Sequence, residues 1–122
     1  LKKPMAYVRS KPKGHGVGRQ IEGAEVAGKN VVVIEDLIST GGSSINAVEV
    51  LRKEGAKNTE VKAIFSYNFL KADENFSQID CKCETISNFD VLIELLKNEN
   101  YLSEEEAKTA LKWNKDPENW EY

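Results

Sequence analysis

Val31–Ser44 reads VVVIEDLISTGGSS, and the fold turns on this stretch. Asn30 to Glu35 is a continuous β-branched run, which predicts a strand buried on both faces, as in a parallel sheet. The run ends in two adjacent carboxylates, Glu35 and Asp36. Leu37 to Ser44 then reads as a loop of small and hydroxylated residues opening into a helix. With little side-chain bulk over Ser39-Thr40-Gly41-Gly42-Ser43, backbone N–H groups can close on an anion. The helix N-terminus behind them favours phosphate through its unpaired N–H groups and its macrodipole. The hydroxyls of Ser39, Thr40 and Ser43 add neutral donors. Two carboxylates at the carboxyl end of a strand, where open α/β folds bind ligands, suit the vicinal hydroxyls of a sugar.

Outward from this centre the chain alternates extended and helical periods. Ile45, Val48 and Leu51 mark a helix over about 43–54, and Gly55 stops it. Thr59 to Phe65 reads as the next strand and Cys83 to Ser87 as another short one. Phe89, Leu92, Ile93 and Leu96 recur at helical spacing. Ser103 with Glu106 matches a capping box and opens a last helix to about Trp113, ended by Asp116-Pro117. Lys71 to Ile79 is weakly patterned. Upstream, Pro4 to Arg9 reads as a strand and Gln20 to Glu25 as a short strand or turn. Between them Ser10 to Arg19 is rich in Gly and cations and is expected to form a loop. The order predicts one α/β domain with an open, mainly parallel sheet flanked by helices.

Composition bounds the alternatives. The chain has 122 residues, with 17 Lys and Arg against 20 Asp and Glu, a formal net charge of −3. That balance argues against a nucleic-acid protein held by a global positive field. Apolar runs are too short for a membrane span. Cys81 and Cys83 are too few for a disulfide scaffold or a four-ligand zinc site, and fit a reducing compartment. The start, Leu1-Lys2-Lys3-Pro4, lacks an initiator Met and a signal-peptide pattern and reads as a piece of something longer. Gly14-His15-Gly16-Val17-Gly18 lacks the spacing of a dinucleotide fingerprint, and Gly41-Gly42-Ser43 lacks a Walker ending.

A hydrophobic strand, two acids, two apolar residues and a small-residue loop resemble the phosphoribosyl pyrophosphate (PRPP) motif of type I phosphoribosyltransferases. Arg9, Lys13, His15 and Gly16 fall at the Arg-x-x-x-Lys-x-His-Gly spacing of the catalytic loop of orotate phosphoribosyltransferases, and Gln20-Ile21-Glu22-Gly23 is similar to the segment after it. The resemblance implies a type I phosphoribosyltransferase-like fold lacking its N-terminal part. Residues 1–122 would be the C-terminal portion of such a domain, with the catalytic loop at about 9–19 and the PRPP motif at 31–44. A sheet of about four strands is expected.

The resemblance also implies roles. Lys13, His15 and Asp36 correspond to catalytic positions, and Arg9, Lys13 and His15 to pyrophosphate-binding ones that reach a neighbouring subunit's site. Glu35 and Asp36 match the acidic pair at the ribose hydroxyls. Leu37, Ile38, Ser39, Thr40, Gly41, Gly42 and Ser43 complete the PRPP-binding stretch, and Ser39 also matches an orotate contact. The expected cofactor is Mg²⁺, carried by PRPP with no direct protein ligand. Expected partners are PRPP, orotate and a second copy in a homodimer, in the cytoplasm, with neither nucleic acid nor membrane. Some members carry an Arg after the strand following the motif helix; Ser66-Tyr67-Asn68-Phe69-Leu70 has none here. The rival readings are a purine phosphoribosyltransferase, which the loop spacing disfavours, and a non-catalytic PRPP-binding regulator of the same fold.

Overall fold

The computed structural model describes residues 2–9 and 20–121. β1 (Ala6–Val8) and β2 (Ile21–Gly23) form an antiparallel hairpin. β3 (Asn30–Ile38), α1 (Gly42–Lys53), β4 (Asn58–Ser66), α2 (Leu70–Gln78) and β5 (Cys83–Asn88) follow, then α3 (Phe89–Asn98) and α4 (Glu104–Lys115). The three later strands form a parallel sheet in the order β3-β4-β5. The expected α/β class with a mainly parallel sheet is therefore observed. The strand number differs: the parallel sheet has three strands, and the hairpin pairs separately.

One face of the sheet packs on α1 and α2. Ile38, Val61 and Ala63 meet Val48, Ala72, Phe76 and Cys81 there. Val48 and Val61 are fully buried, and each such side chain contributes about 1.5–3 kcal/mol. α2 falls on the weakly patterned stretch, since only Ala72 and Phe76, one turn apart, reach the core. A second cluster joins α3 to α4, with Phe89, Ile93 and Ala107 flanked by Phe65, Tyr67 and Trp113. The capping box is present in both directions: the Ser103 side chain accepts from the Glu106 N–H, and Glu106 accepts from the Ser103 N–H.

The opposite sheet face corrects one expectation. β3 is not buried on both sides: its exposure alternates, and Val32 and Ile34 are open to solvent together with Ile64 and Ile86. A β-branched run satisfies both a doubly covered strand and a singly covered one, and no described element covers this face. Apolar surface of this kind marks an interaction site.

The same face carries Lys62, which pairs with Glu84 and lies 3.4 Å from Glu60, while Lys82 is 2.5 Å from Glu84. The Lys62 ammonium, then that of Lys82, holds the Glu84 carboxyl down to about 2 from an ordinary 4.5, and Glu84 in turn raises Lys62. The stabilisation from a depressed carboxylate is complete above its unfolded value and is lost as pH falls through the folded one. The Glu84 carboxyl signal in an NMR titration should therefore turn near pH 2. A midpoint at the ordinary glutamate value would dissolve the cluster. These groups are exposed, so added salt should weaken the shift.

Candidate active site

The acid pair lies inside β3, two residues before its end. The ladder continues past the acids, pairing Glu35 with Ala63, Leu37 with Phe65 and Ile38 with Ser66, so Leu37 and Ile38 are strand and not loop. The register passes over Asp36. Here backbone donors turn to side chains: the Asp36 N–H donates to Glu35 Oε1 at 3.3 Å and the Leu37 N–H to Asp36 Oδ1 at 2.7 Å. Such local bonds compete with a ladder. They coincide with a break in alternation, where Asp36 and Leu37 are both exposed before Ile38 returns to the core.

The two acids therefore differ. Asp36 is exposed, whereas Glu35 is half-buried and turned toward the start of α1. Its Oε2 accepts from the Ser43 hydroxyl at 3.2 Å and the Ser44 hydroxyl at 3.0 Å. The Ser43 hydroxyl, expected to face a ligand, instead donates to Glu35. Ser44, which the sequence did not single out, is fully buried. Its only advance sign is its place in the first helical turn, behind the acid.

Ser39 and Thr40 form an exposed bend, and α1 starts at Gly42, close to the expected position. Gly41, the N-cap, has φ +81°, in the left-handed region, and is buried. A Cβ there would come within 2.6 Å of the Phe76 ring. Glycine is needed at 41 for both reasons. α2 braces the bend, since Asn75 Nδ2 donates to the Thr40 carbonyl at 2.9 Å.

The α1 N-terminus is bare. It has no side-chain cap and no acidic residue in its first turn. α3 and α4 are capped by Asn88 and Ser103 and carry acids in their first turns. The first turn carries no acid of its own, and the Glu35 carboxylate beside it is bonded to the Ser43 and Ser44 hydroxyls, so the backbone N–H groups stay open to an anion.

Arg9 stands where the hairpin ends, its N–H donating to the Gln20 carbonyl at 2.8 Å. Its guanidinium pairs with Glu22, Nε and Nη2 lying 2.9 and 2.5 Å from Oε1. Lys13 and His15 lie outside the described residues. The structure thus brings Glu35, Asp36 and residues 39–44 together at one strand end, while Arg9 is held by the hairpin.

A profile of the phosphoribosyl transferase domain matches residues 1–96. The chain is 51% identical over 117 residues to an orotate phosphoribosyltransferase of Listeria monocytogenes serotype 4b (strain F2365), covering 96% of this chain and 56% of that protein. It is 53% identical over 113 residues to the one from Staphylococcus aureus (strain Mu50 / ATCC 700699), covering 93% and 56%. The fold is similar to the crystal structure of orotate phosphoribosyltransferase from Aeropyrum pernix, with a TM-score of 0.65 and 25% identity over 83% of this chain and 54% of that one. The chain thus spans about half the length of the curated relatives it matches. With a strand, acid pair and bare helix start in the order such a domain requires, the chain belongs to the phosphoribosyl transferase family.

Proposed function

We propose that the protein carrying this chain is an orotate phosphoribosyltransferase. It transfers the phosphoribosyl group of PRPP to orotate, giving orotidine 5′-phosphate and pyrophosphate in pyrimidine synthesis. The observation that carries this reading is the uncapped α1 N-terminus set directly behind Glu35 and Asp36. Identity of about half to proteins named for that activity supports the choice of acceptor over a purine base. In this reading residues 1–122 form the C-terminal portion of the domain, and the enzyme is a cytoplasmic homodimer with shared sites. No described helix is long and apolar enough to cross a membrane.

The N–H groups at residues 40–44 receive the 5-phosphate. Asp36, exposed at the strand end, accepts from the ribose hydroxyls. Glu35 has a hydrogen-bonded carboxylate on the same strand, and Ser43 and Ser44 fix its orientation. Orotate N1 forms a bond to the anomeric carbon as the bond to pyrophosphate breaks, and pyrophosphate leaves with that electron pair. The N1 proton passes to an oxygen of the departing pyrophosphate. Positive charge develops on the ribose ring, so a pre-placed carboxylate lowers the barrier without covalent chemistry. Arg9, Lys13 and His15 are proposed to offset charge on the leaving group, and Ser39 to touch orotate. Among the described residues no cluster of three His, Cys, Asp or Glu forms a metal cage. The donor set, one exposed carboxylate, suits Mg²⁺ that enters with the PRPP phosphates and retains its waters.

The test is loss of orotate absorbance by the full-length protein with PRPP and Mg²⁺. Turnover dependent on PRPP is the expected result. Turnover of a purine base alone would reassign the acceptor, and PRPP binding without turnover of any base would make the protein a regulator.

A further inference from the structure

The family profile ends at residue 96, so α4 lies beyond the matched domain. Yet α4 holds a specific place in the fold. Asn114 is a polar side chain on its buried face, 8% exposed, and its Nδ2 donates to the Tyr67 carbonyl at 2.6 Å. Trp113 meets Tyr67 edge-on at 6.1 Å and Phe69 at 5.9 Å, and the Tyr67 and Phe69 rings stack at 5.2 Å. Both contacts grip one turn, residues 67–69, immediately after β4.

This turn adjoins the site. The Tyr67 N–H donates to the Ile38 carbonyl at 3.0 Å, at the end of the strand that bears the acid pair. Ile38, Ser66 and Asn68 line one cavity of about 80 Å³. Asn68 has φ +56°, a left-handed conformation uncommon for a residue with a side chain. It is fixed from two sides: its N–H donates to Ser66 Oγ at 2.9 Å and its Nδ2 to Asp90 Oδ2 at 2.8 Å. Strained residues of this kind persist where surrounding structure over-determines them. In the phosphoribosyl-transfer reading the acceptor meets the ribose beside the acid pair, and the segment after β4 is bonded to the end of the strand that carries that pair.

We propose that α4 is a clamp that holds the Tyr67–Phe69 turn in its acceptor-facing geometry, with Asn114 as a positioning residue. The inference rests on the phosphoribosyl-transfer reading and adds that affinity for the acceptor, and not for PRPP, depends on α4. Without the Asn114 amide the Tyr67 carbonyl loses its side-chain donor and the turn loses its tie to α4, while the Asn75 bond to Thr40 still braces the loop at 39–44.

In the full-length protein, Asn114→Leu should raise the KM for orotate about fivefold or more, from one lost hydrogen bond. The KM for PRPP should stay within about twofold. Amide exchange should accelerate at Tyr67 and Asn68 and stay unchanged at Gly42–Ser44. Should Asn114→Leu fail to fold, Trp113→Phe, which keeps a ring in the cluster, is read by the same two KM values. Equal changes in both KM values, or none, in a folded variant would overturn the clamp. If the wild-type protein does not turn over orotate, the function reading fails by itself. The exchange experiment then still decides, because unchanged exchange at Tyr67 and Asn68 rejects the clamp.

Discussion

Replacing Gly41 with alanine should cost about 2–5 kcal/mol of stability. Two separate terms add. A side chain at φ +81° brings a left-handed penalty of roughly 1–2 kcal/mol. The new Cβ also lies 2.6 Å from the Phe76 ring. Phe76 is 5% exposed and packs in the main core, so it cannot simply swing away. Overpacking of this sort costs about 1–3 kcal/mol. Thermal denaturation should show a drop on the order of 10 °C. Affinity for inorganic phosphate, read from amide shifts of Gly42–Ser44, should fall about tenfold or more as the helix start tilts away. Gly42→Ala is the control. Its Cβ would meet only Thr40 Oγ1 at 3.9 Å, and its φ is not positive. That variant should melt within about 2 °C of the wild type, because Ala is the better helix former. Adding Phe76→Leu to Gly41→Ala should restore the packing part and leave the backbone part. Equal stability of the two glycine variants would refute the assignment of Gly41 as the constrained position.

The difference between these adjacent glycines shows where sequence reading stopped. The stretch VVVIEDLISTGGSS announced a strand, an acid pair and a helix start, because each depends on short-range chemistry. It did not separate Gly41 from Gly42, since the distinction comes from Phe76, a residue of a helix that the pattern barely marked. The extension of β3 to Ile38 was hidden for a similar reason. Acids beside a small-residue loop read as a strand end, but the pairing of Leu37 and Ile38 with β4 continues the strand. Glu35 and Asp36 were indistinguishable as letters. Alternation along the strand and two serine hydroxyls give them different surroundings. Asn114 had no signal at all, being one polar residue on an otherwise ordinary amphipathic helix, with its partner 47 residues away. The β1–β2 hairpin likewise needs contacts across the Ser10–Arg19 stretch that no local pattern announces.

The proposed sharing of sites between subunits has the largest kinetic consequence. Lys13→Ala and Asp36→Ala, made separately in the full-length protein, should each leave a nearly inactive homodimer. Losing one charge-assisted contact that tightens in the transition state costs on the order of 2–4 kcal/mol, or roughly 30- to 1,000-fold in rate. The two variants are then mixed and allowed to exchange subunits. In a mixed dimer with shared sites, one site combines an intact Asp36 with an intact Lys13 from opposite chains, and the other holds both defects. Random exchange makes about half the dimers mixed, so about a quarter of all sites regain wild-type composition. If Lys13 acts within its own chain, every site in every dimer keeps one defect. Activity held at the homodimer level after verified exchange would therefore exclude shared sites. Recovery to about a quarter of wild type would place Lys13 of one subunit opposite Asp36 of the other. It would also fit a chain whose described part brings the acid pair and the 39–44 bend together while the Arg9 guanidinium pairs with Glu22 in the hairpin.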